Sequence, residues 1–151
     1  MVNRLLTITT ISAALVGASL MQAGADGHTP FDQRKAAMKT VGQSTKTIGT
    51  MLKGETEFDA AAANEAMVAM QTAVADYGDY FPEGSGGGES KAAPEIWSDR
   101  EGFDTVLAAF KEDIDAGVAA APDTKEGVAA AFGAIAENCK TCHEKYRLPD
   151  D

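Results

Sequence analysis

The chain has 151 residues and a formal charge of −10, with 23 acidic residues against 13 basic ones. Its length suggests one folded domain. The acidity argues against nucleic acid and anionic membranes as partners, since both need clustered Lys and Arg; it fits a solvated surface or a basic docking partner. Two cysteines, Cys139 and Cys142, stand within four residues of each other. A disulfide between them would close a tiny loop and add little stability, so the pair points to chemistry rather than stapling.

Residues 1–25 read as an export signal. Arg4 is their only charge, an apolar stretch from Leu5 to Met21 follows, and Ala23-Gly24-Ala25 supplies a small-x-small cleavage pattern. Cleavage is expected near Asp26. The alternative, an uncleaved anchor, would need about 20 strongly apolar residues, and this run is diluted by Thr7, Thr9, Thr10, Ser12 and Ser19. Removing the leader deletes no acidic residue, so residues 26–151 are more acidic still, and no stable membrane insertion is expected of them.

Four stretches then show helical spacing of apolar residues. The first spans about Thr29 to Lys53, with Phe31, Arg34, Met38, Val41, Thr45, Ile48 and Leu52 in one stripe; Pro30 suits its first turn and Gly54 its stop. The second begins behind Asp59 as N-cap, carries Ala63, Met67, Met70, Val74 and Tyr77, and ends near Gly78. From Asp79 to about Pro94 no periodicity survives, and Gly84-Ser-Gly-Gly-Gly88 marks a long loop, either a wrap over a cofactor edge or a plain crossover. The third helix starts at Glu95 or Ser98 and reaches Ala120. Ser98 and Glu101 are spaced as a capping box, and the stripe is Phe103, Leu107, Phe110, Ile114 and Val118. The fourth follows Pro122, with Asp123 and Glu126 as a second capping box, and runs to about Arg147 through Val128, Phe132, Ile135, Cys139, Cys142 and Tyr146. Together these imply an all-α, antiparallel four-helix bundle. Its Ala-rich stripes would fill a core thinly, leaving room for a large apolar cofactor.

Cys139-Lys-Thr-Cys142-His143 supplies that cofactor. On a helix, sulfurs at i and i+3 and an imidazole at i+4 share one face. Two thiols can then bond the vinyl-derived carbons of one porphyrin while the imidazole reaches the iron, which is the c-type haem attachment pattern. Cys139 and Cys142 are the expected thioether anchors of a single haem c and His143 the proximal iron ligand. A thioredoxin-like pair would want a βαβ setting, and a structural zinc site four ligands; His28 is the only other histidine.

A haem motif this late in a four-helix chain, with the tail His143-Glu-Lys-Tyr146-Arg147, resembles the class II cytochromes c, which comprise the cytochromes c′ and their low-spin, methionine-ligated relatives. Arg34-Lys-Ala-Ala-Met38-Lys39 is similar to that family's first-helix motif; Phe81-Pro82-Glu-Gly-Ser and Ala93-Pro94-Glu-Ile-Trp97 are similar to its segment before the third helix. The resemblance implies a bundle with haem near one end, located in the bacterial periplasm. Members of the family either shuttle electrons or bind small gases such as nitric oxide on five-coordinate iron.

Met38 decides between these. It sits on the inward stripe of the first helix, where a thioether opposite His143 would give His/Met ligation and raise the potential, or would merely pack on the porphyrin. Met51, Met67 and Met70 are expected in the core, with His28 a weaker rival ligand. Arg34, one turn before Met38, either pairs with a haem propionate or snorkels to the surface. Trp97 and Tyr146 are expected to pack in the core. Lys39, Lys140 and Lys145 are candidates for a basic rim around the haem edge. The reading is an electron carrier serving redox partner proteins, as monomer or homodimer, with a gas-binding protein as the alternative. No distal histidine supports an enzyme of peroxidase type.

Overall fold

The computed structural model describes residues 29–150. The expected leader and His28 lie outside the described residues. Helix α1 spans Pro30–Lys53. Thr29 caps it by accepting from the Asp32 amide at 3.2 Å, while Asp32 accepts from the Thr29 amide at 3.1 Å, a reciprocal capping box. Pro30 occupies the first turn, and Gly54 ends the helix at φ 76°, where a side chain would be strained.

Helix α2 spans Ala60–Val74, and the Asp59 carboxylate accepts from the Ala62 amide at 3.1 Å. It stops short of Gly78. A 3₁₀ turn over Tyr77–Tyr80 takes its place and directs Tyr77 into the interior.

The third helical stretch is broken. A single turn, α3, covers Glu95–Ser98, and α4 covers Arg100–Ala120. Between them Asp99 adopts φ −128°. The expected Ser98–Glu101 capping box does not form, because Ser98 belongs to the preceding turn. Asp99 holds the cap position, yet its carboxylate bonds Lys145 and, at 3.0 Å, the Tyr146 hydroxyl. Helix α5 spans Lys125–Tyr146, and its cap is Thr124, which accepts from the Gly127 amide at 3.1 Å. That is one residue later than the expected Asp123.

The helices pack α1 on α2, α2 on α4 and α4 on α5, a four-helix bundle with α3 as a turn on its side. Ile48, Met67, Met70, Val74, Ile114, Val128 and Ile135 form the bundle core, each at most 1% exposed. Burying such a side chain contributes about 1.5–3 kcal/mol. Met51 is also buried in this core. A second cluster, Phe81, Ile96, Phe103 and Tyr146, closes one end.

The long connection is folded. The Trp97 indole donates to the carbonyls of Phe81 and Pro82 at 3.1 and 3.0 Å. The ring lies so close to Gly86 that a Cβ there would fall 2.8 Å from it. Further along, Ala92 pairs with Arg147 in an antiparallel bridge. The Ala93 amide donates to the Tyr146 carbonyl at 3.1 Å, and the Leu148 amide to the Lys91 carbonyl at 2.7 Å. The chain after α5 is thereby stitched to the loop. Among the described residues no helix is long and apolar enough to cross a membrane.

Candidate cofactor site

A cavity of about 330 Å³ opens at the end of the bundle that carries the aromatic cluster. Helix α5 lines it with Cys139, Cys142, His143 and Tyr146; α1 with Phe31, Arg34, Lys35, Met38 and Val41; α4 with Phe103, Val106, Leu107 and Phe110; and the loop with Phe81, Glu89, Ser90, Lys91 and Ala92. The helical spacing of Cys139, Cys142 and His143 does bring all three to one wall.

Both thiols are half-buried and unpaired. Burial pushes the Cys142 thiol up to about 11, with Cys139 adding to the rise, and burial raises Cys139 as well. Redox-active Cys-x-x-Cys pairs depend on a lowered thiol pKa, so the environment is the reverse of a thioredoxin-type site. His143 is pulled below the usual imidazole value, chiefly by partial desolvation and then by the Arg147 charge. The neutral form, which is the one that ligates a metal, is therefore favoured. Among the described residues no cluster of three or more His, Cys, Asp and Glu is arranged to hold a metal ion.

Of the described methionines, Met51, Met67 and Met70 are buried in the bundle core. Met38 alone among them reaches the cavity. It is half-buried, packed on its inner side against that core.

Arg34 is 6% exposed and does not snorkel. Its two terminal nitrogens donate to the carbonyls of Tyr80 (2.9 Å) and Ser85 (2.8 Å) and to the hydroxyls of Ser85 (3.0 Å) and Ser90 (3.3 Å). The guanidinium also lies 4.8 Å from the Phe81 ring centroid. These partners are all neutral groups of the loop and its approach.

Lys39, Lys140 and Lys145, expected as a rim, do not line the cavity itself. Lys140 faces Glu144 at 3.7 Å and Lys145 faces Asp99; the cations that line the cavity are Arg34, Lys35, Lys91 and Arg147. Trp97 packs on Phe81 (ring centroids 6.4 Å apart) and holds the loop instead of lining the cavity. Tyr146 is buried and does line it.

Sequence reasoning missed the aromatic wall as a unit. Tyr77 packs edge-on against Phe81 (5.2 Å), Phe81 against Phe103 (4.9 Å) and Phe103 against Tyr146 (5.4 Å). Burial raises the Tyr77 phenol far above its ordinary value, so it stays neutral. The Gly-rich run does not itself touch the cavity; the residues just after it, 89–92, do. No periodic signal marks residues that meet only through a folded loop.

The cavity suits a flat, largely apolar group. Its walls are aromatic and aliphatic, two thiols and an imidazole share one wall, and cations line it beside the loop. A porphyrin with carboxylates on one edge fits this donor set.

A family model described as Cytochrome C′ matches residues 29–147. Cytochrome c-556 of Agrobacterium fabrum is 36% identical over 139 residues, covering 92% of this chain and 94% of that protein. Cytochrome c′ of Rhodopseudomonas palustris is 35% identical over 116 residues, covering 76% and 79%. Among solved structures, cytochrome c′ from Rhodopseudomonas palustris superposes with a TM-score of 0.75 at 32% identity, covering 81% of this chain and 98% of that one. The nitric oxide complex of a mutant cytochrome c prime from Alcaligenes xylosoxidans gives 0.71 at 31% identity, covering 81% and 98%.

Proposed function

Because the chain belongs to the cytochrome c′ family, whose members hold a covalent haem c, we propose that it is an electron carrier with one haem and His/Met-ligated iron. Cys139 and Cys142 form the thioethers, His143 is the proximal ligand and Met38 the distal one. When bound, the haem supplies a one-electron couple. The protein's part would be to hold His143 and Met38 in place in either oxidation state, so that the bound group could exchange an electron with no change of ligand.

The observation that carries this reading is the position of Met38. It lines the same cavity as Cys139, Cys142 and His143, whereas Met51, Met67 and Met70 pack elsewhere. The bundle core supports one side of Met38, which limits its freedom to swing away. The aromatic wall lowers the polarity on one side of the cavity and so favours the less charged, reduced state of a couple held there. The ligand set lies within one chain, so a monomer suffices. Residues 1–25 would export the chain, and the haem would be attached in the periplasm.

The absorption spectrum of the ferric holoprotein at neutral pH tests the ligand assignment. A low-spin spectrum with a sulfur-to-iron charge-transfer band is expected, and a high-spin spectrum overturns it. Met38→Ala should convert low-spin to high-spin and lower the potential, whereas Met51→Ala should change neither. A second reading, in which Met38 only packs and the iron binds nitric oxide, is favoured by the nitric oxide complex of the structural relative from Alcaligenes xylosoxidans. It expects the high-spin spectrum and tight nitric oxide binding by the unmutated protein.

A further inference from the structure

Between Phe81 and Ala92 the sequence reads Pro-Glu-Gly-Ser-Gly-Gly-Gly-Glu-Ser-Lys. It contains no hydrophobic side chain to bury beyond Pro82, which is exposed. Gly84, Gly87 and Gly88 adopt positive φ of 76°, 82° and 59°. Such a segment has little of its own to offset the entropy of being ordered. Yet residues 89–92 form a wall of the cavity. Something outside the loop must hold it.

Trp97 hydrogen-bonds its entrance, at Phe81 and Pro82, and lays its ring against Gly86, and the chain after α5 bonds its exit, at Lys91. The hydrogen bonds to the middle from outside the loop come from Arg34, through Ser85 (carbonyl and hydroxyl) and the Ser90 hydroxyl, while Tyr80 and Phe81 are gripped by the same guanidinium. Buried cations ordinarily take an acidic partner; here the charge is met by oxygen dipoles and one ring face. Several donors spread over a rigid planar fork can do this, and an ammonium cannot reproduce that geometry. Arg34 lies one helical turn before Met38, on the cavity side of α1.

We propose that Arg34 is a positioning residue: the clasp that closes residues 81–92 over the cavity, acting through its forked geometry on neutral loop acceptors. Releasing it lets the wall open and admits water to the Met38 side of the cavity.

The test is hydrogen exchange of the holoprotein, read over residues 83–92 against α2 as an internal reference, together with the midpoint potential. Arg34→Lys and Arg34→Gln should both raise exchange in the loop by about tenfold or more, leave α2 unchanged, and shift the potential in the same direction by similar amounts. The double variant Ser85→Ala with Ser90→Ala, which keeps the arginine, should raise loop exchange by a smaller factor. If Arg34→Lys keeps the unmutated exchange and potential while Arg34→Gln does not, charge is what counts and the carboxylate-ligand role replaces the clasp. Exchange that rises equally in α2 also overturns the proposal, since Arg34 would then be a general stability element. The outcome is independent of the sixth-ligand reading, because loop exchange is measured whatever the spin state of the unmutated iron.

Discussion

The two hydrophobic clusters of this protein are built on different rules. The bundle core is aliphatic and methionine-rich, drawn from the stripes of α1, α2, α4 and α5, and its central side chains need only volume and burial. The cluster beside the cavity is aromatic, drawn from the loop, the α3 turn, the start of α4 and the end of α5. Polar groups tie it to its surroundings: Tyr146 bonds Asp99, Trp97 bonds the Phe81 carbonyl, and Arg34 and Arg100 lie over the Phe81 and Phe103 rings. The first cluster decides that four helices pack. The second decides what shape of space they leave at one end.

Substitutions in the two clusters should therefore separate stability from haem properties. Phe103→Ala is expected to have the largest effect. It removes a ring 1% exposed that touches both Phe81 and Tyr146, costing about 3–5 kcal/mol in urea unfolding of the holoprotein and changing the haem spectrum as well. Ile114→Ala should come next, at about 2–5 kcal/mol. Ile114 belongs to the bundle core, so the absorption spectrum and potential should stay as they were. A spectrum altered by Ile114→Ala and not by Phe103→Ala would erase the distinction between the clusters.

Gly102→Ala probes how tightly the second cluster is closed. A Cβ at Gly102 would fall 2.7 Å from the Tyr146 hydroxyl and closer still to the Asp99 carboxylate. Overpacking of this kind costs about 1–3 kcal/mol, and the displaced Tyr146 should perturb the spectrum as well. Gly42→Ala, where a Cβ meets nothing within 4 Å, is the matched control and should destabilise nothing.

The smallest effect concerns pH. Hydrogen bonds from Lys145 and then Tyr146 hold the Asp99 carboxyl below its ordinary value of 3.8. A depressed carboxyl contributes stability above its unfolded value and loses it as pH falls through the folded one. The contribution should fade below about pH 4, so Asp99→Asn should lower stability modestly at neutral pH and converge with the unmutated protein in acid, flattening that part of the unfolding profile. The exposure of Asp99 and Lys145 (side chains 42% and 54% exposed) keeps the effect modest.

How far the sequence could be read follows the same division. The stripes through Val41 and Ile48, Met67 and Met70, Phe110 and Ile114, and Val128 and Ile135 were legible because burial on a helix has a period. So was the approach of Cys139, Cys142 and His143 to one wall, which needs only one turn of helix. Met38 was legible as an inward residue for the same reason. The break at Asp99 was not, because it depends on Lys145 and Tyr146, 46 and 47 residues away in sequence. Nor were the partners of Arg34, since Ser85 and Ser90 carry no periodicity and meet it only once the loop is folded. Position on a helix can be read locally, whereas the partner of a polar group in a long connection cannot.

The backbone stitch between residues 91–93 and 146–148 also bears on the order in which the molecule is completed. The loop precedes α4 and α5, but its exit hydrogen-bonds to residues beyond α5, which leave the ribosome well after it. Until the final helix has arrived, the cavity lacks a fixed wall on that side. The cysteines sit on that same final helix, so the space they border is sealed by the segment that delivers them.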